Sequence, residues 1–396
     1  RLIRAWSDVS KPVDHAYPAE HSLLTYTDDD SFEHHGMNDL HSLPDETLIV
    51  PVTIRWPDGT GSVTAASRLL SPFRGGRKAQ IIKRKQKLLA QDSKAYQLIA
   101  GEPASLSALK SRFEQKSGAA PESHAFADFV GRQAVLTLDR ETRKISDKAL
   151  KLPRFVVPAI MTRRDFIAEL EQLATQQQRP FEDIRNEAES CLKEIAPAPS
   201  RLFVKAMEKF AKYICSLGYD TDVVFDKEKA AEIRNLIRTR PTALLWTHKT
   251  HVDGIALVHF SREQNYPLMH TIGGINMAIA GVGTLAKKSG AVFIRRSFQD
   301  DEIYKACFRH YISYVLEKRF PLAWSLEGTR SRIGKLMPPR YGVLKYVTEA
   351  AHHNGVQDLT LIPVSIYYDL IPEIDSYASE QSGAIKRKES LAWFLG

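Results

Sequence analysis

The chain has 396 residues, 43% hydrophobic and 26% charged, which excludes a disordered or collagen-like protein and leaves room for two or three domains around a large core. A net charge of +8 suits an anionic partner such as a membrane surface, a nucleic acid or a phosphorylated substrate, although a solvated basic surface accounts for charge alone. Cys191, Cys215 and Cys307 stand far apart with no Cys-x-x-Cys pair, so a reducing compartment is expected rather than a disulfide framework.

The chain opens on Arg1 rather than Met, as expected for a fragment or processed form, and no signal peptide or run of about 18 apolar residues is apparent. Residues 1–47, with the acidic run Asp28-Asp29-Asp30, read as irregular or peripheral. Leu48 to Trp56 reads as a strand that stops at the turn signal Pro57-Asp58-Gly59. Residues 74–87 hold seven Lys or Arg and no acid. Ile81, Ile82, Leu88 and Leu89 there form a stripe that Lys85 interrupts, so the segment reads as a basic helix facing anionic lipid or solvent. Residues 104–220 read as mostly helical. Within them Leu202, Phe203, Met207, Phe210, Ile214 and Leu217 recur at helical spacing and are expected in the core, with Gly218 as the cap.

After residue 220, short apolar runs at 242–247, 268–272, 291–294, 322–326 and 359–366 alternate with helical stretches near 250–264, 276–288, 300–318 and 340–353. This predicts an α/β fold, a mostly parallel sheet with flanking helices, preceded by a mixed, largely helical N-terminal region. The expected division is residues 1–200 and 201–396. Ile49-Val50-Pro51-Val52-Thr53-Ile54 echoes Leu361-Ile362-Pro363-Val364-Ser365-Ile366, through chance or through a degenerate second copy of the α/β unit.

His248, Arg295 and Glu327 each follow a predicted strand, on the sheet edge where α/β folds bind ligands. His248 with Asp253 suits a general base and the carboxylate that fixes its tautomer; the alternative is a solvated loop pair. Arg295-Arg296 and Arg330-x-Arg332 offer guanidinium forks that match phosphate oxygens. Glu327 could accept substrate hydroxyls, and Gly328 permits close backbone approach. Lys386-Arg387-Lys388 adds charge or is simply solvated. His248, His251 and Asp253 lack the His-x-His-x-Asp-His arrangement of metallo-hydrolases, and no zinc set completes them, so no metal is expected. No Walker sequence and no Gly-x-Ser-x-Gly elbow is present.

Four blocks in order, His248-Lys-Thr-His-Val-Asp253, Gly290-Ala-Val-Phe-Ile-Arg-Arg296, Glu327-Gly-Thr-Arg-Ser-Arg332 and Leu361-Ile-Pro-Val-Ser-Ile-Tyr-Tyr-Asp369, resemble the glycerol-3-phosphate and dihydroxyacetone-phosphate acyltransferases, with the bacterial PlsB-type enzymes nearest. The likeness covers about residues 200–396, with Lys249, Thr250 and Gly254 departing from the usual Arg, Ser and aromatic residue. The resemblance implies a glycerolipid acyltransferase-like fold with no cofactor. It makes His248 the base for the sn-1 hydroxyl of glycerol 3-phosphate, and Asp253 its orienting group. Arg296, Arg330 and Arg332 would hold the phosphate with Arg295 nearby, while Glu327 and Gly328 shape the glycerol site. Lys386 would join the substrate-binding set, and Pro363 would line the side of the acyl donor, acyl-CoA or acyl-carrier protein. It further implies a chain truncated at both ends and attached to an anionic membrane at its cytoplasmic face, peripherally or monotopically. Dihydroxyacetone phosphate as substrate remains open. So does a non-catalytic basic module for membrane or nucleic acid, although no nucleic-acid-binding pattern is present and none is expected as a partner.

Overall fold

A computed structural model describes residues 25–26, 32–33, 40, 43–55, 87, 97–121, 124–145, 153, 155–219, 223–274, 282–295, 297–298, 300–331, 335–353, 356, 358–371, 373–374 and 377–378. The chain divides into two compact units, Arg1–Ala149 and Leu150–Gly396.

In the first unit, β1 (Thr25–Tyr26) pairs antiparallel with β2 (Phe32–Glu33). The single strand read over Leu48 to Trp56 is two, β3 (Leu48–Ile49) and β4 (Val52–Arg55). They pair in separate antiparallel ladders with β6 (Ala104–Ser105) and β5 (Gln97–Ala100) respectively. Pro51 stands between the two strands, and a residue with no N–H interrupts a ladder. The echo of the 361–366 segment is therefore one of sequence, not of strand pairing. Helix α1 (Leu106–Ser117) starts on a Ser105 side-chain cap and stops at Gly118, whose φ of 68° suits glycine. It packs on α2 (His124–Ile145) through Phe113, which lies 5.4 Å from Phe126 and 5.5 Å from Phe129 between ring centroids. Of the basic run 74–87, only Lys87 lies within the described residues.

The second unit begins with α3 (Val156–Met161), α4 (Arg164–Gln177), α5 (Phe181–Ile195), α6 (Arg201–Gly218) and α7 (Lys227–Thr239). Strand and helix then alternate: β7 (Thr242–Trp246), α8 (Asp253–Glu263), β8 (His270–Gly274), α9 (Val282–Lys287), β9 (Ala291–Ile294), α10 (Glu302–Glu317), β10 (Leu322–Ser325), α11 (Gly342–His353) and β11 (Thr360–Val364). The five strands form one parallel sheet in the order β11-β7-β10-β8-β9, as the apolar runs predict.

The sheet is covered on both faces, and its side chains alternate with period two between them. Ala243, Leu322 and Trp324 join a core built with α3, α4, α5, α10 and α11. Leu244, Trp246, Ala323 and Ile362 join a second core with Ile237 of α7 and Leu257 of α8. Helix α10 is buried nearly all round, with Tyr304, Tyr311 and Phe308 fully inaccessible. The helices between 156 and 195 thus share the sheet's own core, and the compact unit that holds the sheet starts at Leu150.

Helix α6 differs from its expected stripe. Val204, Met207, Ala211 and Ile214 are buried, but Leu202 and Leu217 are 65% and 58% exposed. Apolar residues on α6 cover more than the roughly 100° arc that one packed face needs.

Candidate active site

Strands β7 and β10 are neighbours, with Trp246 opposite Ser325 at their carboxyl ends. Adjacent strands lie about 4.8 Å apart, so the loops that follow them arrive side by side. The loop after β7 carries His248 to Val252 and leads into α8, whose first residue is Asp253.

Asp253 is fully buried. Its Oδ2 lies 2.9 Å from His248 Nδ1 and accepts the backbone N–H groups of Lys249 (2.6 Å) and Thr250 (3.0 Å). Two backbone N–H groups already donate to that oxygen, and the tautomer with the proton on Nδ1 adds a third bond to it. Nε2 is then the atom with a free lone pair, on a side chain 20% exposed. That is the arrangement of a general base and its orienting carboxylate.

The backbone of His248 is fixed as firmly as its ring. Its N–H donates to Glu327 Oε1 (2.9 Å), and its carbonyl accepts from the Ser331 N–H (2.7 Å). Glu327, 5% exposed, gives its other oxygen to the Met337 N–H (2.9 Å). Each oxygen of this carboxylate therefore anchors main chain. Gly328 follows with φ of 64°, and a Cβ there would stand 2.8 Å from Cδ of Arg340. Glycine is required both for the turn and for that close approach. On the other side of β7, the Thr247 N–H donates to the Val364 carbonyl at 3.1 Å. Pro363 pairs in register with Leu245 on edge strand β11, where a missing N–H costs least.

A further segment closes on the same loop. Glu373, 2% exposed, accepts from Thr250 Oγ1 (2.8 and 2.7 Å to its two oxygens) and from the His251 N–H (2.9 Å). Tyr377 Oη donates to the Lys249 carbonyl (3.1 Å) and accepts from Arg330 Nη1 (2.9 Å). Arg330 also stands 3.9 Å from Glu373, with only 10% of its side chain exposed. The base's loop and an arginine of the third block thus share partners. Burial, reinforced by the charge of Asp253, pushes the Tyr368 phenol far above its ordinary value of 10. Tyr219, whose ring is tilted against that of Tyr368 with centroids 5.2 Å apart, is pushed up to about 12 by burial, with Glu373 and Asp253 adding to it. Glu373 and Tyr377 are absent from the sequence-based set, where Tyr368 appears only inside the fourth block. They lie more than 100 residues from the loop they hold, and no spacing rule connects them.

Arg295 is placed at the expected edge, after β9, but β8 and β10 separate β9 from β7. Its Nε and Nη2 fork onto Glu194 (3.0 and 2.8 Å), and Nη1 reaches Asp301 (2.8 Å). Its guanidinium also lies over the Tyr304 ring, 4.4 Å from the centroid. The hydrogen bonds to Glu194 raise its pKa further. With three nitrogens committed, Arg295 joins α5 to the start of α10 and has little left to offer an anion. Arg296, Arg332 and Lys386 lie outside the described residues.

The carboxyl edge of the parallel sheet thus carries a histidine paired to a buried carboxylate, beside a largely buried arginine. Residues 228–367 match the Acyltransferase family model. Over 239 residues, 60% of its length, the chain is 31% identical to "Putative acyltransferase plsB1" of Mycobacterium tuberculosis and to the protein of the same name in Mycobacterium bovis. Over 216 residues, 54% of its length, it is 29% identical to "Glycerol-3-phosphate acyltransferase" of Haemophilus influenzae. The chain spans 38% and 26% of the lengths of these relatives.

Proposed function

We propose that this chain transfers a fatty acyl group from acyl-CoA or acyl-carrier protein to the sn-1 hydroxyl of glycerol 3-phosphate, giving lysophosphatidic acid, the first step of phospholipid synthesis. The observation that carries this reading is the 2.9 Å contact between His248 Nδ1 and Asp253, which leaves Nε2 available as a base. The name of the Haemophilus influenzae relative supports the choice of acceptor.

In this reaction His248 Nε2 takes the proton of the acceptor hydroxyl as its oxygen attacks the thioester carbonyl. Asp253 stabilises the imidazolium. The C–S bond then breaks, and the imidazolium returns the proton to the departing thiolate. A thioester is already activated, so much of the acceleration comes from holding the two substrates together. Arg330 holds phosphate together with Arg296 and Arg332, and Lys386 adds positive charge to the substrate set. Gly328 and Glu327 shape the glycerol side indirectly, through the backbone they position. Pro363 and its strand line the acyl-donor side. The chain acts at the cytoplasmic face of a membrane as a peripheral or monotopic protein, and its charge of +8 supports an anionic surface. Among the described residues, no helix is long and apolar enough to cross a membrane.

The test is thioester cleavage by the 396-residue chain with and without glycerol 3-phosphate, and with dihydroxyacetone phosphate in its place. Cleavage should depend on glycerol 3-phosphate and fall on the order of 10²–10⁴-fold in His248→Ala. Arg330→Ala should raise KM for glycerol 3-phosphate about 10- to 150-fold, the equivalent of a charge-assisted hydrogen bond worth roughly 1.5–3 kcal/mol, and leave KM for the donor nearly unchanged. Normal turnover in a folded His248→Ala protein would refute the reading.

A further inference from the structure

Helix α6 is amphipathic twice over. Its buried side holds Val204, Met207, Ala211 and Ile214. Its solvent side is itself divided. At about 100° per residue, Arg201, Lys212, Lys205 and Lys209 fall within roughly the first 80° of the exposed arc, and all four are exposed. Leu202, Tyr213 and Leu217 occupy roughly the next 60°, with exposures of 65%, 58% and 58%. No carboxylate stands on this arc. Glu208 borders its basic side and faces Arg262 at 3.7 Å. At the border with α9, the Lys288 ammonium lies over the Phe203 ring, 4.6 Å from its centroid, and adds a further cation. Just beyond the helix, Val224 is 99% exposed.

A solvated helix face has no use for three large apolar side chains beside a row of cations. A core-facing or protein-facing helix has no use for four cations in a row. Charge and apolarity side by side along one helix match the boundary of an anionic bilayer, where ammonium groups meet phosphates while leucine and tyrosine side chains enter the acyl boundary. We propose that the outer face of α6 is the surface through which this chain lies on anionic lipid. The proposal rests on the membrane attachment inferred above and names the surface that makes it. The position also suits the chemistry: α6 packs on α8, the helix that begins at Asp253. The residue after α6, Tyr219, has its ring tilted against that of Tyr368 behind the Asp253 carboxylate. A bilayer on this face would therefore lie against the helix that packs on the element carrying Asp253.

The experiment is co-sedimentation of the full 396-residue chain with vesicles of phosphatidylglycerol and phosphatidylcholine, and with phosphatidylcholine alone. The parent should bind only the anionic vesicles, and more weakly as salt rises. The variant K205Q/K209Q/K212Q should lose roughly 100-fold in partitioning, since each cation near the surface counts for about a factor of five. L202S/Y213S/L217S should lose binding while keeping the preference for anionic vesicles. Both sets are solvent-exposed, so circular dichroism and thermal midpoints should match the parent. Parent-like vesicle binding by both variants would overturn the proposal, as would a parent that ignores anionic vesicles. A parent that is dimeric by sedimentation, and variants that are monomeric, would also overturn it by making the face a contact between copies. Acyl transfer from a short-chain, water-soluble thioester without vesicles should be unchanged in both variants. If the parent lacks that transfer while the variants still lose vesicle binding, the catalytic reading fails and the lipid surface stands.

Discussion

Two buried carboxylates hold His248 in place, and they do so differently. Asp253 acts on the ring, taking Nδ1 of His248 and two loop N–H groups on one oxygen. Glu327 acts on the main chain, taking the His248 and Met337 N–H groups on separate oxygens. Glu327→Gln keeps the shape but turns one acceptor into an NH2 that must face a backbone donor. A buried donor left unsatisfied costs about 1–3 kcal/mol. The variant should therefore lose stability of that order in urea unfolding, and its kcat should fall while KM for glycerol 3-phosphate stays within about two-fold, a small change for a side chain that makes no charge-assisted bond to substrate. A large rise in KM with unchanged stability would return Glu327 to the role of direct hydroxyl acceptor. That the histidine, the aspartate and the third block come together was legible in sequence because each follows a strand at the same sheet edge. That Glu327 works through backbone was not, because one of the donors it satisfies belongs to a loop 79 residues earlier in the chain and the other follows it by ten. The partners of Arg295 were hidden for a similar reason. An arginine after a strand looks the same whether its fork meets phosphate or Glu194, and only the packing of α5 against the sheet decides.

At the level of elements, hydrophobic periodicity located the helices and strands of the second unit well, because each apolar run has to cover or fill a sheet face. It was weaker on what each helix covers. The stripe on α6 mixes a buried side with an exposed one, and a pattern of spacing alone does not separate them. Helices α4 and α5 read as part of a separate N-terminal region, yet they seal one face of the sheet through α10. The polar side of that contact gives a pH signature. Glu169 of α4 bonds His310 Nε2 at 3.0 Å and also pairs with Arg309, both on α10. The His310 hydrogen bond, with help from Arg309, lowers the Glu169 pKa from its ordinary value of 4.5. A carboxylate with a depressed folded pKa stabilises the fold above its unfolded value, and that contribution is lost as pH falls through the folded one. Glu169→Gln should therefore lower the thermal midpoint at neutral pH. The gap to the parent should begin to close below pH 4.5 and vanish as the folded carboxyl is protonated. A gap that stays constant from pH 6 to pH 3 would mean that the side chain contributes by packing and not by charge.

Over the whole molecule, the strand order decides which loops meet. The order β11-β7-β10-β8-β9 sets the histidine loop between the third block on one side and β11 on the other, an arrangement that no linear reading supplies. In the proposed reaction this constellation supplies a base and an anion-binding arginine, and the thiols that could serve as a nucleophile are those of the three cysteines. Cys191 and Cys307 are buried, and contact with Cys191 together with burial pushes the Cys307 thiol far above its ordinary value. Burial also raises Cys215. Thiols held protonated are poor nucleophiles, which covers Cys307 and Cys215, while Cys191, whose own value the Cys307 contact lowers, is buried, so in the proposed reaction the acyl group passes directly from donor to acceptor. Both substrates must then be bound before the bond forms. Initial rates measured against glycerol 3-phosphate at several fixed donor concentrations should give double-reciprocal lines that intersect. Replacing each cysteine by alanine in turn should leave that pattern intact. Parallel lines, or an acyl group recovered on Cys191, Cys215 or Cys307 after quenching, would show a covalent intermediate and would move the chemistry away from His248 acting on the acceptor hydroxyl.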